Sequence, residues 1–212
     1  MVFVEFKDLT KSYNGQPIFK KVRGTLEEGN CMVITGPNGS GKTTLLKILA
    51  GLIRPSSGEV RIKVNDHWLK GEERNDYLGF VSPDIFLYDE LTASENLCFF
   101  AKVRGLPVYE EKCRQLLEKV QLKRWSNSLT GTFSTGMKQR LKFAFALLHD
   151  PYLLLLDEPG SNLDDEGRGL LGEMVNQQKK RGAVILSTND SSEVALYGDQ
   201  VLRLDPEGWG SS

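Results

Sequence analysis

The stretch that most restricts this chain is "GPNGSGKTT", residues 36 to 44. It fits the spacing G-x-x-x-x-G-K-[ST] and sits in the context that gives this spacing meaning. The short β-rich run "CMVIT" (31–35) precedes it, and the helical pattern "LLKILAGLI" (45–53) follows. Glycines at 36, 39 and 41 let the backbone turn tightly and aim successive N–H groups at an anion. A helix opening near Lys42 adds the positive end of its dipole. Lys42 is then placed to reach the β- and γ-phosphates of a nucleotide, and the Thr43 hydroxyl to ligate Mg²⁺. Gly36, Pro37, Asn38, Gly39, Ser40, Gly41, Lys42, Thr43 and Thr44 form the expected cradle. A glycine-rich turn that binds nothing is the plain alternative; strand, spacing and helix in agreement weigh against it.

A second stretch answers the first. In "LLLLDEPGSNLD" (153–164), four leucines of a dry interior run straight into Asp157 and Glu158, and an unpartnered carboxylate there would be costly. Beside a phosphate cradle the carboxyl end of a neighbouring strand is where ligands bind. Asp157 is expected near the metal, holding it through water, and Glu158 to face the attacking water as general base or to orient it. The competing reading is a strand cap leading into a turn.

The rest of the chain reads as one α/β unit. "VFVEFKDL" puts Val2, Val4 and Phe6 on one face, and Asn14-Gly15 turns into a second strand, which predicts a hairpin. "GEVRIKVND" alternates again, with Val60, Ile62 and Val64 on one side. From Pro83 to about Thr132 the helical pattern dominates, with caps expected on "TASENLCFFAKVRG" and "YEEKCRQLLEKVQL". "STGMKQRLKFAFALLHD" predicts an amphipathic helix ending by Pro151. "YLLLLDE" and "AVILST" predict strands buried on both faces, linked by a helix over "EGRGLLGEMVNQQKKRG" in a βαβ unit. The closing "EGWGSS" reads as a frayed tail.

Charge balance excludes some functions. Lys plus Arg (27) nearly cancel Asp plus Glu (28) among 212 residues, which argues against a large nucleic-acid footprint. No apolar run approaches the ~20 residues that cross a bilayer, and the N-terminus lacks the shape of a signal peptide, so membrane contact is expected only through a partner. Cys31, Cys98 and Cys113 have no metal-ligand spacing and read as reduced thiols.

Together these stretches resemble, from end to end, the ATP-binding cassette (ABC) ATPase subunits of membrane transporters. Tyr13 in "KSYNG" matches the family's adenine-stacking aromatic, "GPNGSGKTT" its Walker A loop and "LLLLDEP" its Walker B strand. "FSTGMKQRL" resembles the signature usually written LSGGQ, and "SNLD" the D-loop. "RPSSGEV" and "YDELTASENL" also fall where such stretches lie. Walker motifs alone mark a nucleotide-binding P-loop protein; the signature shortly before Walker B specifies the ABC family. The resemblance implies an α/β P-loop NTPase core with a mostly parallel sheet, a small antiparallel β subdomain and an inserted helical subdomain. The division is 1–82 and 136–212 for the core and 83–135 for the helical part. It implies ATP and Mg²⁺ as cofactors and head-to-tail pairing, as homodimer or heterodimer, in which Ser134 and Gly136 cover the γ-phosphate held by the other subunit. It also implies a separate transmembrane partner and a place on the cytoplasmic face of the membrane. For Ser134 an ordinary N-cap, and for Tyr13 ordinary packing, are the bland readings.

The chain departs from the family at two slots. Where the family has a His after the last long strand, "ILSTND" places Asn189, a neutral donor roughly half as strong as a charged one. Where the family has a Mg²⁺-ligating Gln, the sequence has Pro83, leaving Asp84 next to it as the candidate oxygen donor. The expected activity is Mg²⁺-dependent ATP hydrolysis coupled to transport, of exporter type, with low turnover in the isolated subunit. The alternative is a slow-hydrolysing nucleotide switch or the degenerate half of a heterodimer. The aromatic cluster around Phe86, Leu87 and Tyr88 reads equally as a docking surface or as the lobe's own core.

Overall fold

A computed structural model describes residues 1–106, 110–205 and, for the backbone alone, 210–211. The hairpin predicted at Asn14-Gly15 joins β1 (Val2–Tyr13) to β2 (Gln16–Glu27). Both turn residues have positive φ, 51° and 79°, as a two-residue hairpin turn requires. β1 also pairs antiparallel with β4 (Ser57–Val64), which pairs with the short β5 (His67–Trp68), giving a four-stranded sheet in the order β2-β1-β4-β5. Val2, Val4 and Phe6 are buried on its inner face with Ile62 and Val64 opposite, so the alternation read from the sequence sets which face turns inward.

The second sheet holds the site. β3 (Cys31–Thr35), β6 (Leu78–Val81), β7 (Leu153–Asp157), β8 (Ala183–Ser187) and β9 (Gln200–Leu204) run parallel. β10 (Gly210–Ser211) pairs antiparallel at one edge, and the order is β10-β9-β3-β8-β7-β6. This pairing corrects the expectation of a frayed tail for Gly210 and Ser211, whose backbones meet Leu204 and Arg203. The other residues of that stretch lie outside the described ones.

β7 is covered on both faces. Leu153 and Leu155 point into a core shared with the antiparallel sheet and α1 (Lys42–Leu49). Leu154 and Leu156 point into a core shared with the helices α2 (Ala93–Val103), α3 (Glu110–Lys119), α4 (Thr135–Ala146) and α5 (Asp165–Lys179). All four leucines are fully buried, and each contributes about 1.5–3 kcal/mol relative to exposure. α5 connects β7 to β8, and α6 (Ser191–Tyr197) follows β8.

The helix expected over "TASENLCFFAKVRG" begins at its cap. Residues 83–91 form turns and loop, and α2 opens only at Ala93, where Thr92 and Glu95 cap it reciprocally: Glu95 N donates to Thr92 Oγ1 at 3.2 Å and Thr92 N to Glu95 Oε2 at 2.8 Å. Proline at 83 removes an N–H, and the Lys142 ammonium takes the Ser82 and Pro83 carbonyls at 3.3 and 2.9 Å, so the chain has no helical ladder to enter there. The cap expected for α3 falls at 107–109, outside the described residues. The aromatic cluster divides: Leu87 packs against the helical core, while Phe86 is 84% exposed. No helix among the described residues is long and apolar enough to cross a membrane.

Candidate functional site

β3 delivers the chain into the loop 36–41, and two glycines there have no substitute. Gly36 has φ 151°, and a Cβ on it would lie 2.2 Å from the Leu204 carbonyl oxygen. Gly41, at φ 97°, is the N-cap of α1, and a Cβ there would stand 2.5 Å from Ile18 Cγ2. The second contact shows that the β1–β2 hairpin lies on the loop, which brings the strand that ends at Tyr13 to the same side. Tyr13 is 48% exposed, with the Lys11 ammonium 4.7 Å from its ring centroid. A half-exposed ring with one charged neighbour is available for stacking rather than consumed in packing.

Lys42, buried at 6% exposure, donates to the Gly36 and Pro37 carbonyls at 2.9 and 3.2 Å and lies 3.9 Å from Glu158 Oε1. The Ser40 hydroxyl is buried inside the same loop without a hydrogen-bond partner, a polar atom of the kind that a ligand satisfies. Thr44 is half-buried on the first turn of α1.

The strand order explains how residues more than a hundred positions apart meet. β8 separates β3 from β7, so the carboxyl ends of all three open beside the loop. Thr43 Oγ1 donates to Asp157 Oδ2 at 2.8 Å, and Ser187 Oγ donates to Asp157 Oδ1 at 2.5 Å. Asp157 is 1% exposed, and these two donors offset part of the cost of burying its charge. A threonine hydroxyl with one carboxylate is the hard, sparse donor set of Mg²⁺, which takes the rest of its ligands from phosphate and water. The residues present therefore fit the metal that the sequence implies.

Glu158 follows in a left-handed conformation, φ 47°, with its N–H on the Ser187 carbonyl at 3.0 Å. Such a backbone costs of order 1–3 kcal/mol for a non-glycine residue. Burial pushes the Glu158 carboxyl above its usual value against the pull of Lys42, with the Asp157 charge adding to the rise. A carboxylate raised in this way is better suited to accept a proton. Across the loop, the Asn189 amide donates to the Asn38 side-chain oxygen, so the residue in the histidine slot does lie against the cradle.

Ser134 caps α4, its Oγ accepting from Met137 N at 3.2 Å. A Cβ on Gly136 would come within 3.0 Å of the Asn162 carbonyl oxygen, and Gln139 Nε2 donates to the Pro159 carbonyl at 3.2 Å. The helix start therefore packs on the turn after Glu158, and no hydrogen bond among the described residues joins Ser134 or Gly136 to the phosphate loop of the same chain. Asp84 reaches α1 at Lys47, 2.6 Å away and one turn beyond Thr43. Ser187, Gln139, Lys142 and Glu193 were not singled out from the sequence. Ser187 alone left a trace there, as the first polar residue after the apolar run "AVIL".

Known proteins resemble this chain over most of its length. The ABC transporter family matches over residues 19–161. The chain is 38% identical over 203 residues to the uncharacterized ABC transporter ATP-binding protein YxlF of Bacillus subtilis (strain 168), covering 94% of this chain and 66% of that protein. It is 33% identical over 208 residues to the linearmycin resistance ATP-binding protein LnrL of the same organism, covering 95% and 66%. The chain thus spans about two thirds of the length of these relatives. A dimeric ATP-binding cassette solved in a post-hydrolysis state with ADP and Pi superposes with a TM-score of 0.83 at 26% identity, covering 96% of this chain and 94% of that one. The match spans the phosphate loop, the capped start of α4 and the acidic end of β7, and the chain belongs to the ABC transporter family.

Proposed function

We propose that the chain is the ATP-hydrolysing subunit of a membrane transporter, converting nucleotide-dependent pairing of two cassettes into work on a separate transmembrane protein. The observation that carries this reading is the joining of Thr43, Asp157 and Ser187 at one strand end, with Lys42 and Glu158 3.9 Å apart beside them.

In this mechanism the loop amides and Lys42 hold the β- and γ-phosphates, and Tyr13 stacks on the adenine. Thr43 and Asp157 would hold Mg²⁺, which when bound would neutralise phosphate charge. Glu158 orients the attacking water and accepts its proton; Asn189 donates its amide toward the γ-phosphate side of the loop. No covalent intermediate is needed, because positioning and charge stabilisation supply the rate. Asp84 adds an oxygen to the metal only if Lys47 releases it, and the Mg²⁺ dependence of Asp84→Ala turnover decides that role.

Ser134 and Gly136 belong to the site of a facing subunit. The dimeric cassette among the structural relatives supports pairing, and the outward start of α4 fits it. The core, 1–82 and 136–212, carries the chemistry, and the helical part, 83–135, carries the docking face around Phe86. Similarity to a linearmycin resistance protein favours export, and the expected place is the cytoplasmic face of the membrane.

Steady-state hydrolysis by purified chain, with Glu158→Gln as the blank, tests the reading. Turnover should fall at least a hundredfold in the variant while nucleotide binding persists; equal turnover removes the ATPase assignment. Asn189 supports a second reading, a clamp that closes on ATP and scarcely hydrolyses it, since a neutral amide stabilises phosphate charge less than an imidazolium. A single-turnover rate at saturating Mg²⁺ and ATP separates the two.

A further inference from the structure

Glu193 sits in the first turn of α6, a seven-residue helix, yet only 8% of it is exposed. A carboxylate in a first turn gains from the helix N-terminus and here from the Thr188 hydroxyl, yet burying it still costs free energy because it is poorly solvated. Its position shows what it touches. A Cβ built on Gly160 would lie 1.7 Å from Glu193 Oε1 and 3.0 Å from Cδ. The carboxylate therefore rests directly on the Gly160 backbone, in the space any other residue at 160 would fill.

Gly160 lies two residues after Glu158, buried inside the turn that leaves β7. Ser161 N donates to the Glu158 carbonyl at 3.2 Å and Leu163 N to the Gly160 carbonyl at 3.2 Å. On the α4 side, Gln139 holds the Pro159 carbonyl. Glu193 braces the same turn from α6. That helix begins directly after Asn189, and its N-cap Asp190 accepts from Ser192 N at 2.8 Å and lies 3.7 Å from Arg168 on α5. One helical turn thus links the residue beside the phosphate loop, Asn189, to the turn that carries the carboxylate facing it.

We propose that Glu193 is a positioning residue for hydrolysis: seated on Gly160, its carboxylate fixes the strained Glu158 turn in register with Asn189. This role rests on the hydrolytic reading of Glu158 given above. It differs from catalysis proper, since Glu193 itself need touch neither nucleotide nor water. Small displacements at a reacting centre are costly, a 1 Å error being worth about a hundredfold in rate, and a left-handed glutamate keeps its geometry only where its surroundings over-determine it.

The test compares Glu193→Ala, which empties the seat, Glu193→Asp, which withdraws the carboxylate by one methylene, and Glu193→Gln, which keeps the shape. All are made in the full chain beside Glu158→Gln. The expected result is a kcat lowered about tenfold to a hundredfold in the Ala and Asp variants, with KM for ATP and affinity for a fluorescent ATP analogue within twofold of the parent. The Gln variant recovers most of kcat. Gly160→Ala, which pushes the carboxylate off its seat, should reproduce the Glu193→Ala kinetics. The proposal is overturned if the Asp variant turns over at the parent rate, or if kcat, nucleotide affinity and melting temperature fall together, as loss of folding would give. Should Glu158→Gln abolish turnover while the Glu193 variants leave it intact, only the positioning role falls. Should Glu158→Gln itself hydrolyse normally, the hydrolytic reading falls first.

Discussion

His149 offers a quantitative check on the packing that supports β7. It lies between the end of α4 and Pro151, half-buried, with Nε2 2.9 Å from the Leu78 carbonyl oxygen and Nδ1 buried without a partner. The contact to a carbonyl requires the Nε2–H tautomer. Burial, with the Arg104 guanidinium adding, holds the imidazole down at about 4 against an ordinary value of 6.5. In the unfolded chain the ring takes a proton near 6.5; in the folded chain it resists until about 4. The unfolded state therefore binds more protons throughout that window, and stability is full above pH 6.5 and lost as pH falls toward 4. Linkage over the whole window would give about 3 kcal/mol, and partial exposure of the ring trims the loss between pH 7.5 and 5 to about 1–2 kcal/mol. Asp8, held low by its hydrogen bond from Arg23, and Glu73, held low first by the Lys70 backbone N–H, titrate below this range. Glu158 and Glu193, pushed up by burial, act in the opposite direction, so the parent is compared with His149→Gln, which can still donate to Leu78 but does not titrate. Urea unfolding at half-unit steps from pH 7.5 to 5 should show the gap between variant and parent closing by about 1–2 kcal/mol in the variant's favour. A gap independent of pH would refute the assignment of a neutral, buried imidazole.

Three further outcomes follow from particular contacts. Leu155→Ala, at a fully buried position of β7, should cost about 2–5 kcal/mol in urea unfolding, whereas Phe86→Ala, at a surface ring, should stay within about 0.5 kcal/mol. Tyr13→Ala should weaken ATP-analogue binding roughly threefold to tenfold, with Tyr13→Phe close to the parent, since the ring face and not the hydroxyl does the stacking. Burial pushes the Cys31 and Cys113 thiols up to about 12, so a disulfide reagent at pH 8 should label one thiol of three quickly, half-buried Cys98, and the others only on unfolding; equal labelling of all three would contradict the burial.

Local patterns made the elements legible. The hairpin at Asn14-Gly15, the period switch at Gly36, the cap at Thr92 and the leucine run of β7 are each decided within a few residues, where periodicity and turn chemistry act. The conformation of the glycine loop, 36–41, was legible for the same reason, because one short segment carries it. What escaped the sequence was pairwise and distant. Ser187 reaches Asp157 only because β7 and β8 pair in a register that sets 157 opposite 187. Lys142 holds carbonyls about sixty positions earlier, and Glu193 meets Gly160 across a helix and a strand. No period contains such information. Nor does periodicity decide the cluster around Phe86, where Leu87 joins the lobe's core while Phe86 faces outward.

The placement of the two acids follows from the strand that ends in them. A run of leucine packed on both faces is a firm support, and its carboxyl end can hold a costly group where a loop could not. Asp157 uses that support to stay oriented, with Thr43 and Ser187 occupying one oxygen each. Glu158, one residue further, leaves the sheet in a strained turn, so two neighbouring carboxylates point to different tasks without sharing one environment. Replacing the pair with apolar residues would relieve the cost of burying charge, though not the left-handed backbone at 158, and proteins with buried charge often gain stability from such changes. Their presence at the end of a dry strand is a stability cost that the Thr43 and Ser187 hydroxyls offset in part and that a metal ion bound with phosphate beside the glycine loop would offset further.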